Sequence, residues 1–175
     1  QIGESLFYQR NFVDQGEWWR FISAHFFHTN FYHLVMNNLA LAILWALQGH
    51  VYTFRTYLLV FFGSGIFACA GVYFFSSELD QYVGLSGAIH GIFIWGALQE
   101  ILRKEKIGYL LLLGIVVKIS IEQVNGTSAE FSEMIEAIIA IHAHLWGAMG
   151  GVFMFLMIAW IKSLLSKRVH HSKSE

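Results

Sequence analysis

Proline is absent from this chain of 175 residues, where average usage of about 5% would supply roughly nine. Long apolar runs are therefore free to stay helical, because no pyrrolidine ring interrupts the backbone bonds. Charge is scarce too: 13% of residues are Asp, Glu, Lys or Arg, about half the usual share of about 25%. A soluble domain with so little charge would leave its surface uncovered, and a hydrophobic content of 56% excludes disorder. The single cysteine, Cys69, cannot form an internal disulfide. A net charge of −1 offers no footprint for nucleic acid, and none is expected as a partner. Aromatic residues, by contrast, reach 17%, and the 16 glycines suit helices that pack closely in lipid. The length allows one domain and about five spans of about 20 residues. The first residues, mixed polar and aromatic, do not read as a signal peptide.

Hydropathy along the chain predicts an all-α, polytopic transmembrane bundle. Residues 1–30 are amphipathic and aromatic, with Trp18 and Trp19 beside Arg20, as at a membrane interface. Spans are expected over about 31–47, 56–75, 84–102, 107–121 and 137–165. Residues 31–165 thus form the membrane core, and 166–175 a basic tail. Lys118 falls inside the short fourth span, where it is expected to snorkel to an interface. Residues 122–136 read as an acidic loop, with Asn125-Gly126 as its turn signal. Orientation follows from the basic residues. Arg55, Arg103, Lys104, Lys106, Lys162, Lys167, Arg168 and Lys173 sort to one side, Arg10, Arg20 and Lys118 to the other. The positive-inside rule puts the first set, and the C-terminus, in the cytoplasm.

Ionisable groups inside spans cost a few kcal/mol and mark functional sites by default. Three polar clusters share the outward depth. The first is His25, His28, His33 and Asn37, the last two one turn apart on one helical face. The second is Gly84-Leu85-Ser86-Gly87, with His90 one turn beyond Ser86. The third is His142-Ala143-His144, followed by Gly147 and Gly151. Each has an ordinary reading: a serine bonded to its own helix, a histidine anchoring an interface, a G-x-x-x-G packing two helices. Their coincidence at one depth favours chemistry, namely nucleophilic acyl transfer. Ser86 needs a base, and His144 is the preferred candidate. The nearest carboxylate to the last span, Glu136, lies in the outward loop, so a Ser–His dyad is expected rather than a triad. The Ser86 backbone N–H, His33 and Asn37 would meet the oxyanion.

Read together, Trp19-Arg20, His28-x4-His33-x3-Asn37, Gly84-Leu85-Ser86-Gly87 and Ala143-His144-x2-Gly147-x3-Gly151 resemble the rhomboid intramembrane serine proteases. The resemblance runs in family order from residue 19 to 151. It implies Ser86 as nucleophile, His144 as base, and His33 and Asn37 as oxyanion donors. Gly84, Gly87, Gly147 and Gly151 take supporting places, and no cofactor or metal is implied. It also implies a six-span core whose first span lies upstream of Gln1. The stretches from Phe7 to Arg20 and from Gly84 to Gly91 resemble the bacterial rhombosortases in particular. That likeness implies an inner-membrane enzyme with its site facing the periplasm. Its substrate would carry a C-terminal Gly-Gly motif, a hydrophobic helix and a basic end, and transfer to an amine-bearing headgroup would be open to it. Many rhomboids place a Tyr where His90 stands; here His90 is expected to pack beneath His144 and bias its tautomer.

Three alternatives stand beside this reading. One is a general rhomboid protease. Another is an inactive relative that binds membrane helices, although such relatives commonly lose the serine or histidine. The third is a metal or haem site built from His25, His28, His33, His90, His142 and His144. Its spacings are not those of usual ligand sets, and no intramembrane Asp, Glu or Cys is expected to join them.

Overall fold

The structure, a computed structural model, describes residues 5–126, 129–135 and 140–171. A first region packs short elements together: β1 (Tyr8–Gln9), α1 (Arg10–Asp14) and α2 (Arg20–Ser23). The long helices follow: α3 (Phe31–Gln48) and α4 (Phe54–Phe75), then β2 (Gln81–Tyr82) and α5 (Ser86–Leu102). The chain continues through α6 (Lys106–Asn125), the short α7 (Ala129–Ile135) and α8 (Ile141–His171). The expected all-α bundle is what folds. Among the described residues, its one β feature is a two-residue antiparallel ribbon pairing Tyr8 with Tyr82 and Gln9 with Gln81. Hydropathy does not reveal so short a pairing, yet it ties the N-terminal region to the loop that precedes Ser86.

Helix ends follow local chemistry. Asn30 caps α3 by accepting from the His33 backbone N–H, and Thr53 and Thr56 form a reciprocal capping box on α4. The other end of α4 is capped from a distance. Arg10 donates to the carbonyls of Tyr73, Val72 and Ser76, as a cation should at a helix C-terminus.

Helices α3, α4, α6 and α8 are long and apolar enough to cross a membrane. Their outward faces expose Leu39, Ile43, Leu113, Val117, Phe153 and Leu156, among others, as suits lipid contact. Helix α5 is different. It has 17 residues, and Gly87, Ala88, Ile92, Ile94, Trp95 and Ala97 are all buried. A rise of about 25 Å leaves it short of a hydrocarbon layer of about 30 Å. The other helices enclose it instead. Non-helical backbone at membrane depth is tolerated only when protein satisfies it. Gly84 meets that condition: its N–H donates to the Ala24 carbonyl, and its own carbonyl accepts from His25 Nδ1 and the Tyr82 hydroxyl.

The boundary of the fourth span needs correction. Helix α6 does not stop near Ile121 but runs on to Asn125, so Glu122 belongs to the helix and not to the acidic loop. The last span is described from Ala140; residues 137–139 lie outside the described residues.

Candidate active site

Ser86 is the first residue of α5, where backbone N–H groups have no intrahelical acceptor and the positive end of the macrodipole lies. Across from it, α8 carries His144, 5% exposed, and its Nε2 is 3.0 Å from Ser86 Oγ. Glycines make that distance attainable. A Cβ on Gly147 would collide with the carbonyl of Gly87, and one on Gly151 with the carbonyl of Gly91. The backbones of α5 and α8 thus touch along the expected G-x-x-x-G face. Gly87 is hemmed in as well: a Cβ there would fall 2.8 Å from Ala68 Cβ and 3.0 Å from the Ala143 carbonyl.

Below the serine, the rings of His90 and His144 are stacked, 4.2 Å between centroids and 14° between planes. His90 Nδ1 donates to the Ser86 carbonyl at 2.6 Å. The packing expected of His90 is therefore present in the geometry.

His33 and Asn37 come to the same place from α3. A Cβ on Gly84 would lie 2.8 Å from His33 Nε2 and 3.7 Å from Asn37 Nδ2, so both side chains face the residue two positions before the serine. His33 Nδ1 is turned towards Thr29, 3.1 Å from its Oγ1. The ring of His28 meets that of His33 edge-on, at 5.0 Å. Asn37 is buried and donates to the His33 carbonyl at 3.1 Å.

Other sequence candidates lie outside this centre. His142 contacts Ser76 Oγ at 2.6 Å and Glu78 Oε1 at 3.3 Å, so it faces the loop after α4. His25, left without a role, supports the Gly84 carbonyl, and its Nε2 approaches Cys69 Sγ at 3.6 Å. Burial holds its imidazolium form down, in keeping with a neutral ring. Arg20 is buried against Glu17 and the Phe7 carbonyl, which folds the N-terminal loop on itself. Trp18 and Trp19 remain 52% and 54% exposed.

The expected dyad is incomplete. Glu122 Oε2 lies 2.9 Å from His144 Nδ1, so Ser86, His144 and Glu122 form one line of hydrogen-bonding groups. A fourth span ending at Ile121 leaves Glu122 just outside the bundle, whereas α6 carries it inside by running four residues further. Glu136, the carboxylate named from the sequence, lies outside the described residues. Lys118 also departs from expectation. Instead of snorkelling outward, its Nζ lies 2.8 Å from Glu122 Oε1, 2.7 Å from His90 Nε2 and 3.2 Å from His144 Nδ1. One signal was available: Lys118 and Glu122 are four apart, an ion-pair spacing on a helix, at the depth of the other clusters.

His90, Glu122 and His144 are also the residues that would hold a metal, with donor atoms within 4.8 Å of one another. The Lys118 nitrogen reaches a donor atom of each, and an ammonium there supplies the positive charge an ion would bring.

Such a line of groups, inside a bundle of membrane-length helices, defines a class: polytopic membrane proteins with a serine, a histidine and a carboxylate in contact within the bundle. The Rhomboid domain family model matches residues 15–161, and the chain belongs to that family. Two curated relatives come from Bacillus subtilis (strain 168). "Putative rhomboid protease YdcA" is 32% identical over 140 residues, covering 79% of this chain and 66% of the relative. "Rhomboid protease GluP" is 27% identical over 145 residues, covering 83% of this chain and 27% of the relative. The chain thus spans just under two thirds of the first relative and about a quarter of the second. No solved structure matches it significantly.

Proposed function

We propose that this protein is an intramembrane serine protease. The observation that carries the reading is the 3.0 Å contact between Ser86 Oγ and His144 Nε2, made across two helices that glycines hold together. His144 takes the Ser86 proton as Oγ bonds to the scissile carbonyl carbon. The oxyanion is met by backbone N–H at the start of α5 and by His33 and Asn37. The C–N bond then breaks as the imidazolium returns its proton to the leaving amine, and water hydrolyses the acyl-enzyme. A substrate transmembrane helix must unwind to present that carbonyl, and small residues such as glycine ease the unwinding. The names of both relatives as rhomboid proteases support the same reading. An inactive helix-binding relative is disfavoured, since serine and histidine are both kept and in contact.

Ser86→Ala and His144→Ala are each expected to lower cleavage of a transmembrane substrate by at least about 10³-fold while the protein still folds. A fluorophosphonate probe should label Ser86 in the folded protein. Failure to label it would sink the reading.

The finer reading is a rhombosortase of the bacterial inner membrane, with its site facing the periplasm. It rests on the stretches Phe7 to Arg20 and Gly84 to Gly91, and GluP and YdcA are named only as rhomboid proteases. The substrate would end in a Gly-Gly motif, a hydrophobic helix and a basic tail, with the bilayer as its surroundings. An amine-bearing headgroup would compete with water for the acyl-enzyme. Mass spectrometry of the new C-terminus decides: added mass marks transfer, and a plain carboxylate marks hydrolysis. No cleavage at a Gly-Gly tail would return the protein to the general rhomboid reading.

A further inference from the structure

We infer that Glu122, held by Lys118, is a positioning residue that selects the tautomer in which His144 can act as a base. The inference rests on the reading of Ser86 and His144 as nucleophile and base.

For Nε2 to accept the Ser86 proton, the ring proton of neutral His144 must sit on Nδ1. Nδ1 has two polar neighbours with opposite demands. The Glu122 carboxylate, at 2.9 Å, accepts a hydrogen bond and so favours Nδ1–H. The Lys118 ammonium, at 3.2 Å, only donates, and alone it would favour the other tautomer, with the proton on the serine side. The shorter contacts decide between them. Lys118 Nζ lies at 2.7 Å from His90 Nε2 and 2.8 Å from Glu122 Oε1, and its N–H groups go there. His90 is free to accept at Nε2 because its own proton is on Nδ1, donating to the Ser86 carbonyl. Assigned in this way, each of the short contacts pairs a donor with an acceptor: Lys118 to His90 and Glu122, His90 to Ser86, His144 to Glu122, and Ser86 to His144. The parallel His90 ring fixes the plane of His144 while the carboxylate fixes its proton.

Glu122→Gln shows what the charge contributes. An amide has one acceptor oxygen, and the nearby ammonium takes it, because charge-assisted bonds are the stronger. The amide NH₂ then faces His144 Nδ1, which must become an acceptor, and the proton moves to Nε2. The base is lost without loss of fold. Adding Lys118→Met frees the amide oxygen to turn back to Nδ1–H. The two substitutions are therefore expected to compensate, whereas damage to mere packing would accumulate.

The test uses the full chain, purified in detergent, with the fluorophosphonate labelling rate of Ser86 and the ¹⁵N chemical shifts of His144 as readouts. Glu122→Gln should slow labelling by about 10² to 10⁴, the range seen when a serine hydrolase holds its histidine in the wrong tautomer or loses a positioned proton-transfer group. Lys118→Met in that background should restore labelling at least about tenfold. The shifts should read Nδ1–H in the unaltered protein and Nε2–H in Glu122→Gln. Labelling of Glu122→Gln at the unaltered rate would overturn the proposal, as would a double variant no faster than the single one. Should Glu122→Gln fail to fold, the unaltered protein still decides, because a proton on Nε2 there refutes the assignment. An unaltered protein that never labels at Ser86 would instead refute the protease reading.

Discussion

At the scale of single residues, the loop before the nucleophile hangs on one carbonyl. Gly84 adopts φ +119°, a conformation suited to glycine, and its carbonyl accepts from both His25 Nδ1 and the Tyr82 hydroxyl. Burial lowers the pKa of His25 below 6.5, so the folded protein binds fewer protons than the unfolded chain in the window beneath that value. Stability from this group is complete above 6.5 and falls as the pH drops through that window. The unfolding midpoint in detergent should therefore fall between pH 7 and pH 5, and fall less steeply in His25→Gln. Equal slopes in both would show that His25 does not carry the effect. His28, lowered by burial as well, leaves a residual slope in the variant. The reach of these residues was only partly legible in the sequence. Ser86, His144, His33 and Asn37 lie in motifs, so spacing exposed them. His25 and Tyr82 act through a backbone carbonyl 59 and 2 residues away, and no local pattern reports a contact of the first kind.

At the scale of elements, α5 and α8 carry the site because their backbones touch. Gly147→Ala would drive a Cβ into the Gly87 carbonyl, which as backbone cannot swing aside. A cost of about 1–3 kcal/mol and a displaced His144 are expected, read as a lower unfolding midpoint and slower Ser86 labelling. Gly114→Ala is the control. It meets nothing within 4 Å on α6, and exchanging glycine for alanine in a helix should gain about 0.5–1 kcal/mol. If Gly147→Ala were as stable as Gly114→Ala, the close packing would not be what holds the two helices. The G-x-x-x-G pairing was readable because small residues at that spacing have few other uses in lipid. The end of α6 was not. Lys118 and Glu122 look like the charges that flank a span, and only the rings of His90 and His144, from two other helices, give them partners inside.

At the scale of the whole molecule, eight of the eleven Lys and Arg residues sort away from the site in the orientation read from charge, while Arg10, Arg20 and Lys118 share its side. The 31-residue α8 rises about 46 Å, so its C-terminal turns, with Lys167, reach past a hydrocarbon layer of about 30 Å. Glu78→Cys and Lys104→Cys test the orientation. Cys69 is fully buried and stays silent, so a membrane-impermeant thiol reagent applied to spheroplasts should label the first variant and not the second. The reverse pattern would invert the proposed topology. Composition alone determined that the chain lives in a bilayer, because helices without proline and nearly without charge have no other stable surroundings. Motif spacing singled out Ser86 and His144 as candidates, because motifs are local, but their contact joins residues 58 apart. Tertiary structure decided the rest. It showed that α5 lies enclosed, that a two-residue ribbon anchors the loop before Ser86, and that a carboxylate and an ammonium stand beside the base. These depend on contacts between distant segments, and an isolated charge in a span reads as a cost until its partner is seen.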